Sequence, residues 1–145
     1  MATLLLIHGP NLNLLGVRDA QLYGAKTLRD IEALVTDAAE KLGHKIAAFQ
    51  SNHEGAIIDF LQKESPNARG IIINPGALTH YSYALHDALR DTKLPAIEVH
   101  LSDIISREPW RQVSVTSPAC IAQISGKKEQ GYIEALGVLH KNMQN

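Results

Sequence analysis

RGIIINPGALTHYSYALHDALRDTKLPAIEVH, residues 69 to 100, is the stretch whose reading decides the fold. RGIIIN (69–74) is a short β-branched run that suits a strand buried on both faces, and Asn-Pro-Gly stops it. THYSYALHDALRD (79–91) reads as a helix, and PAIEVH (95–100) is again a short apolar strand. Strand, helix and strand in this order make a right-handed crossover between parallel neighbours. The same alternation extends in both directions. TLLLIH (3–8) is a strand stopped by Gly9-Pro10, and a loop runs on to about residue 26. TLRDIEALVTDAAEKLG then places Leu28, Ile31, Leu34, Val35, Ala38 and Leu42 on one helical face, with Thr27 as N-cap and Gly43 beyond the C-terminus. KIAAF reads as a strand, EGAIIDFLQKE as a helix, ACIAQI (119–124) as the last strand and GYIEALGVLHKN as the last helix. Five buried strands alternating with helices predict an α/β protein with a five-stranded parallel sheet, in the flavodoxin-like order 2-1-3-4-5.

Composition narrows the function. A chain of 145 residues with 45% apolar content fits a single domain, 1–145, that needs neither disulfide nor metal to hold its core. The formal net charge of -1, spread without a basic stripe, argues against nucleic acid or a membrane surface as partner. LLLI is too short for a signal-peptide core or a membrane span, so a cytoplasmic protein is expected. Cys120, the one cysteine, lies in an apolar run and reads as a core thiol of a reducing compartment.

Ligands of open parallel sheets bind beyond the carboxyl ends of the strands. Those ends are His8-Gly9-Pro10-Asn11, Gln50-Ser51-Asn52-His53-Glu54, Asn74-Pro75-Gly76-Ala77 and Glu98-Val99-His100-Leu101-Ser102. Each alone is ordinary turn chemistry, but together they make a rim suited to a small polar molecule. Glu98 and His100, two apart on a strand, share a face, so the carboxylate either orients a general-acid imidazole or merely satisfies it. Arg107 and Arg111 are each able to grip a carboxylate in two-pronged fashion. On the loop 16–26, GVRDAQLYGAK, Tyr23 is a candidate base. A free tyrosine ionises near about pH 10, so it serves at neutral pH only where cations such as Arg18 or Arg107 stabilise the phenolate.

Other chemistries fit less well. None of His8, His44, His53, His80, His86, His100 and His140 pairs with another at i, i+4, and one cysteine makes no thiolate cluster, so no metal is expected. GxGxxG and GxxxxGK[ST] are absent, and the strand ends carry amides and histidines where a phospho-receiver needs aspartates. A Schiff-base enzyme needs a lysine in the site, and Lys26, Lys45, Lys93 and Lys127, the nearest candidates, stand at the ends of none of the first four strands. A flavodoxin-like binding module for a small anion or nucleotide shares the polar rim without requiring the tyrosine, histidine and arginine set.

HGPNLNLLG (8–16), Arg18 with Tyr23-Gly24, QSNHEG (50–55), IIINPGALTH (71–80), EVHLS (98–102), REPWR (107–111) and GY (131–132) follow one another along nearly the whole chain. In this the chain resembles type II 3-dehydroquinate dehydratase. The resemblance implies a cofactor-free anti elimination of water from 3-dehydroquinate to give 3-dehydroshikimate, in a homo-oligomer, a dodecamer built from trimers. It implies Tyr23 as base with Arg18 stabilising its phenolate, Asn11 stabilising an enolate through a bound water, and His100, oriented by Glu98, as general acid. Asn74, His80, Ser102, Arg111 and the Leu101 backbone would bind substrate, Asp87 would reach toward a neighbouring subunit's site, and Arg107 would belong to the site mouth and the electrostatics of the tyrosine. The loop 16–26 would be a lid. It departs from the family's usual Arg-Glu-Pro by reading Arg18-Asp19-Ala20, which removes the fixed φ of proline. Lys127-Lys128-Glu129 and Gln112-Val113 also depart from the family pattern.

Overall fold

The computed structural model describes residues 2–144; Met1 and Asn145, the ends of the expected 1–145 unit, lie outside the described residues. The apolar runs form strands β1 (Ala2–His8), β2 (His44–Gln50), β3 (Gly70–Asn74), β4 (Ala96–His100) and β5 (Ala122–Ser125). All pair in parallel, in the order β2-β1-β3-β4-β5, as expected. The register sets His8 beside Gln50 on one side and beside Asn74 on the other, so three strand ends finish level at one rim.

Alternate residues of the strands feed two cores. Leu4, Leu6, Ile72, Ile97, Val99 and Ile124 pack under α2 (Leu28–Lys41) and α5 (Gln130–Met143). Leu5, Ile7, Ile71, Ile73 and Ala96 pack under α3 (Glu54–Glu64) and α4 (Tyr83–Thr92). The outcome is a three-layer sandwich. Ile71, Ile72 and Ile73 are fully buried, which is why this run is continuous rather than alternating, and each contributes about 2 kcal/mol of burial.

Helix ends follow local chemistry. The Thr27 side chain accepts from the Asp30 N–H while Asp30 accepts from the Thr27 N–H, a capping box that starts α2; Gly43, at φ 82°, ends the turn after it. Three boundaries differ from the sequence expectation. The stretch 79–91 is not one helix: residues 76–80 form a 3-10 turn, and α4 starts at Tyr83 because the Ser82 hydroxyl caps the Leu85 N–H. The last strand starts at Ala122 rather than 119, since a 3-10 turn at Ser117–Ala119, opened by Pro118, occupies the earlier residues. The loop 16–26 contains a single helical turn, α1 (Ala20–Tyr23), started by Asp19, whose carboxylate accepts from the Gln21 N–H. Among the described residues no helix is long and apolar enough to cross a membrane.

Candidate active site

Two loops at the rim are locked together before any functional side chain is placed. The Gly9 N–H donates to the Asn74 carbonyl, and a Cβ on Gly9 would lie 2.1 Å from the Pro75 carbonyl oxygen, so only glycine fits. Asn11 takes a left-handed conformation (φ 70°), and its N–H donates to Asn52 Oδ1, itself held by Gln50 Nε2. The ends of β1, β2 and β3 thus carry Asn11 and Asn74 on one rigid platform.

Glu98 is fully buried, with no exposed surface. Its carboxylate accepts from His100 Nε2 at 2.9 Å, Ser114 Oγ at 2.9 Å, Gln123 Nε2 at 2.7 Å and Thr116 Oγ1. Burial pushes its pKa up, but the hydrogen bonds and charge of His100, with the bonds from Thr116 and Gln123, outweigh that and hold the carboxyl below its usual range. An ionised carboxylate only accepts, so His100 Nε2 carries a proton and Nδ1 is the nitrogen left for exchange with a ligand. Glu98 is therefore a fully buried carboxylate hydrogen-bonded to His100.

Tyr23 receives its cations from two elements. Arg107 Nη1 donates to the Tyr23 hydroxyl oxygen at 2.9 Å and to Ser102 Oγ at 3.3 Å, while the Arg18 guanidinium lies 3.9 Å from the Tyr23 ring centre. Arg107, expected at the mouth, is the one in direct contact with the hydroxyl. His80 Nδ1 donates to the Val113 carbonyl at 2.7 Å, and its ring meets Trp110 edge-on. Burial, against the opposing Val113 bond and with help from His100 and Arg111, lowers its pKa, which keeps it neutral with Nε2 free to accept from a hydroxyl. Arg111 is fixed by Nε donating to Glu108 at 2.8 Å and by stacking on Trp110.

Asn11, Arg18, Tyr23, Asn74, His80, His100, Leu101, Ser102, Arg107 and Arg111 all line one cavity of about 90 Å³. Pro10, Leu12, Gly76, Ala77 and Ile104 complete its wall. Glu98 stands behind His100, and Asp87 lies outside the cavity, largely exposed beside His86. The sequence reading missed Ser114, Thr116 and Gln123. Gln123 is the register partner of Glu98 on β5 and was accessible in principle from strand pairing; Ser114 and Thr116 come from an irregular segment with no periodic signal.

The family described as dehydroquinase class II matches residues 2–140. The chain belongs to the class II dehydroquinases. It is 53% identical to a 3-dehydroquinate dehydratase of Clostridium beijerinckii over 137 residues, 94% of each chain. Over 133 residues it is 53% identical to one of Roseiflexus castenholzii, covering 92% of this chain and 85% of that one. The crystal structure of the type II dehydroquinase from Butyrivibrio crossotus superposes with a TM-score of 0.93 at 44% identity, covering 95% of this chain and 97% of that one. Membership of the class II dehydroquinases agrees with the resemblance read from the seven motifs, and places the flavodoxin-like sheet order among its structural relatives.

Proposed function

We propose that this chain dehydrates 3-dehydroquinate to 3-dehydroshikimate by anti elimination through an enolate, with Tyr23 as base and His100 as general acid. The observation that carries the reading is that an arginine-bound tyrosine hydroxyl and a carboxylate-held imidazole line the same cavity. Tyr23, as phenolate stabilised by Arg107 and Arg18, takes the proton from the carbon next to the ketone. The electron pair moves onto the ketone oxygen, and Asn11, through a bound water, stabilises that negative charge. When the enolate collapses, the carbon–oxygen bond to the hydroxyl breaks and His100 supplies the proton that lets it leave as water. Return of the proton from Tyr23 to His100 through solvent restores the starting state.

Asn74, neutral His80, Ser102, the Leu101 backbone and Arg111 bind the substrate hydroxyls and carboxylate; Arg111 matches a carboxylate by geometry and charge. No cofactor or lysine adduct takes part. The unit 1–145 acts as one catalytic domain, and residues 16–26 are its lid, bounded by glycines with positive φ at Gly16 (99°) and Gly24 (84°). The lid carries the base, so closing it both excludes water and completes the site. The working assembly is a cytoplasmic dodecamer of trimers in which Asp87, exposed on α4, reaches a neighbour's site.

Adding 3-dehydroquinate and following enone absorbance, with and without borohydride, tests the reaction. Product should form, and borohydride should leave the activity intact. A folded oligomer that makes no product, or covalent trapping of substrate on a lysine, contradicts the proposal.

A further inference from the structure

The GY motif at 131–132 has no part in the chemistry above, yet it reaches the site from beneath. On the sheet face that carries α5, Gly131 lets the helix press close: a Cβ there would meet Val99 at 3.3 Å and Ile124 at 3.4 Å. The next residue, Tyr132, is fully buried, and its hydroxyl oxygen accepts from Asn74 Nδ2 at 3.2 Å. Asn74 Oδ1 accepts from the Gly76 N–H at 3.1 Å. These two bonds decide which way round the carboxamide sits, and leave one N–H of Nδ2 and one lone pair of Oδ1 for the cavity.

Having accepted from Asn74, the Tyr132 hydroxyl must send its own proton elsewhere, because a buried phenol hydroxyl without an acceptor is costly. His8 is the register neighbour of Asn74, is fully buried, and its ring centre lies 6.3 Å from that of Tyr132. Neither of its ring nitrogens has a protein hydrogen-bond partner. Nε2 faces the Glu32 carboxylate at 3.8 Å. Burial keeps the ring neutral by lowering its pKa to about 4, so one of its two nitrogens is unprotonated and able to accept.

We propose that Tyr132, with its hydroxyl proton directed toward the buried His8 ring, is a positioning residue that fixes the Asn74 carboxamide in the orientation that binds substrate. The proposal rests on the assignment of Asn74 to substrate binding made above. It gives a direction to the whole chain of bonds: substrate to Asn74, Asn74 to Tyr132, Tyr132 to His8. Orientation of a binding group acts on ground and transition states alike, so its loss raises KM more than it lowers kcat.

Steady-state kinetics of Tyr132→Phe, Asn74→Ala and the double variant test it. Tyr132→Phe is expected to raise KM roughly five- to tenfold with kcat changed less than about twofold, the scale of one net hydrogen bond. The double variant should be no worse than Asn74→Ala, because Tyr132 acts only through Asn74. An unchanged KM in Tyr132→Phe beside an impaired Asn74→Ala, or additive losses in the double variant, overturns the proposal. An unimpaired Asn74→Ala overturns the Asn74 assignment and the proposal with it. His8→Leu and His8→Gln give a second route that does not depend on the folding of the tyrosine variant. The leucine should raise KM and the glutamine, which keeps an acceptor, should restore it; a wild-type KM in His8→Leu overturns the part given to His8.

Discussion

Glu98 shows how much a single buried carboxylate organises. Four side chains from three separate segments donate to it, and one of them is His100. Tyr23→Phe and His100→Ala should each lower turnover at least roughly a hundredfold, measured by enone absorbance, since each removes a group to which the proposed mechanism gives a proton transfer. Glu98→Ala should cost stability as well as rate, because it strands several buried donors; a loss of roughly 3 kcal/mol in urea unfolding is expected. Among the groups that shape the acid limb of stability, His8 and Glu98 are fully buried. His8, with a folded pKa of about 4 against 6.5 when unfolded, is protonated more readily in the unfolded chain. Its contribution is fully present above pH 6.5 and is lost as pH falls toward 4, by about 3 kcal/mol in all. Glu98, held below its usual range, contributes stability that is lost at still lower pH, below the ordinary carboxylate value of 4.5. Denaturant midpoints measured from pH 7 to 4 should fall more steeply in the wild type than in His8→Leu, whose remaining fall comes from His44 and His80, their pKa values also lowered by burial; a parallel fall in both would remove His8 as a cause.

At the level of elements, most of the sheet was legible because buried parallel strands write themselves as continuous apolar runs, and III at 71–73 could hardly be anything else. Legibility failed where a side chain rather than periodicity sets the boundary. The Ser82 cap that starts α4 and Asp19, which starts the turn of the lid, are single polar residues in stretches that also read as loop or as helix. The site followed the same division. Strand-end residues were found because parallel sheets bind ligands there, whereas Ser114 and Thr116 act from an irregular segment where spacing carries no message, and Tyr132, read only as part of the GY motif, reaches Asn74 from α5. The lid gives a prediction of its own. Ala20 is the first residue of α1 and follows Asp19 at φ −53° and ψ 109°, a conformation that suits the residue before proline. Ala20→Pro should therefore stabilise the turn at residues 20–23 by roughly 0.4–1 kcal/mol and slow amide exchange across residues 16–26. Faster exchange in that segment would show that the turn is not formed in solution.

For the whole molecule, the chain joins a rigid platform, where Pro75 leaves no room for a Cβ on Gly9, to the loop 16–26, which seats Gly24 beside the Lys128 stem just before α5. Lys128 in turn donates its N–H to the Leu101 carbonyl, so the loop 16–26 and the cavity-lining Leu101 backbone share one support. Replacement of the family's usual residues by Lys127-Lys128-Glu129 leaves that support in place. Light scattering on a sizing column should give twelve times the 15.9 kDa chain mass, and Asp87→Ala should lower activity without dissociating the assembly. A monomer with full activity would remove the neighbouring subunit from the site. The measurement that bears most directly on the account is turnover of 3-dehydroquinate by the wild type and by Tyr23→Phe, side by side, in the enone assay. The wild type should produce 3-dehydroshikimate and the variant should be at least roughly a hundredfold slower with its fold intact; comparable rates in the two would contradict the role of the arginine-bound tyrosine as base.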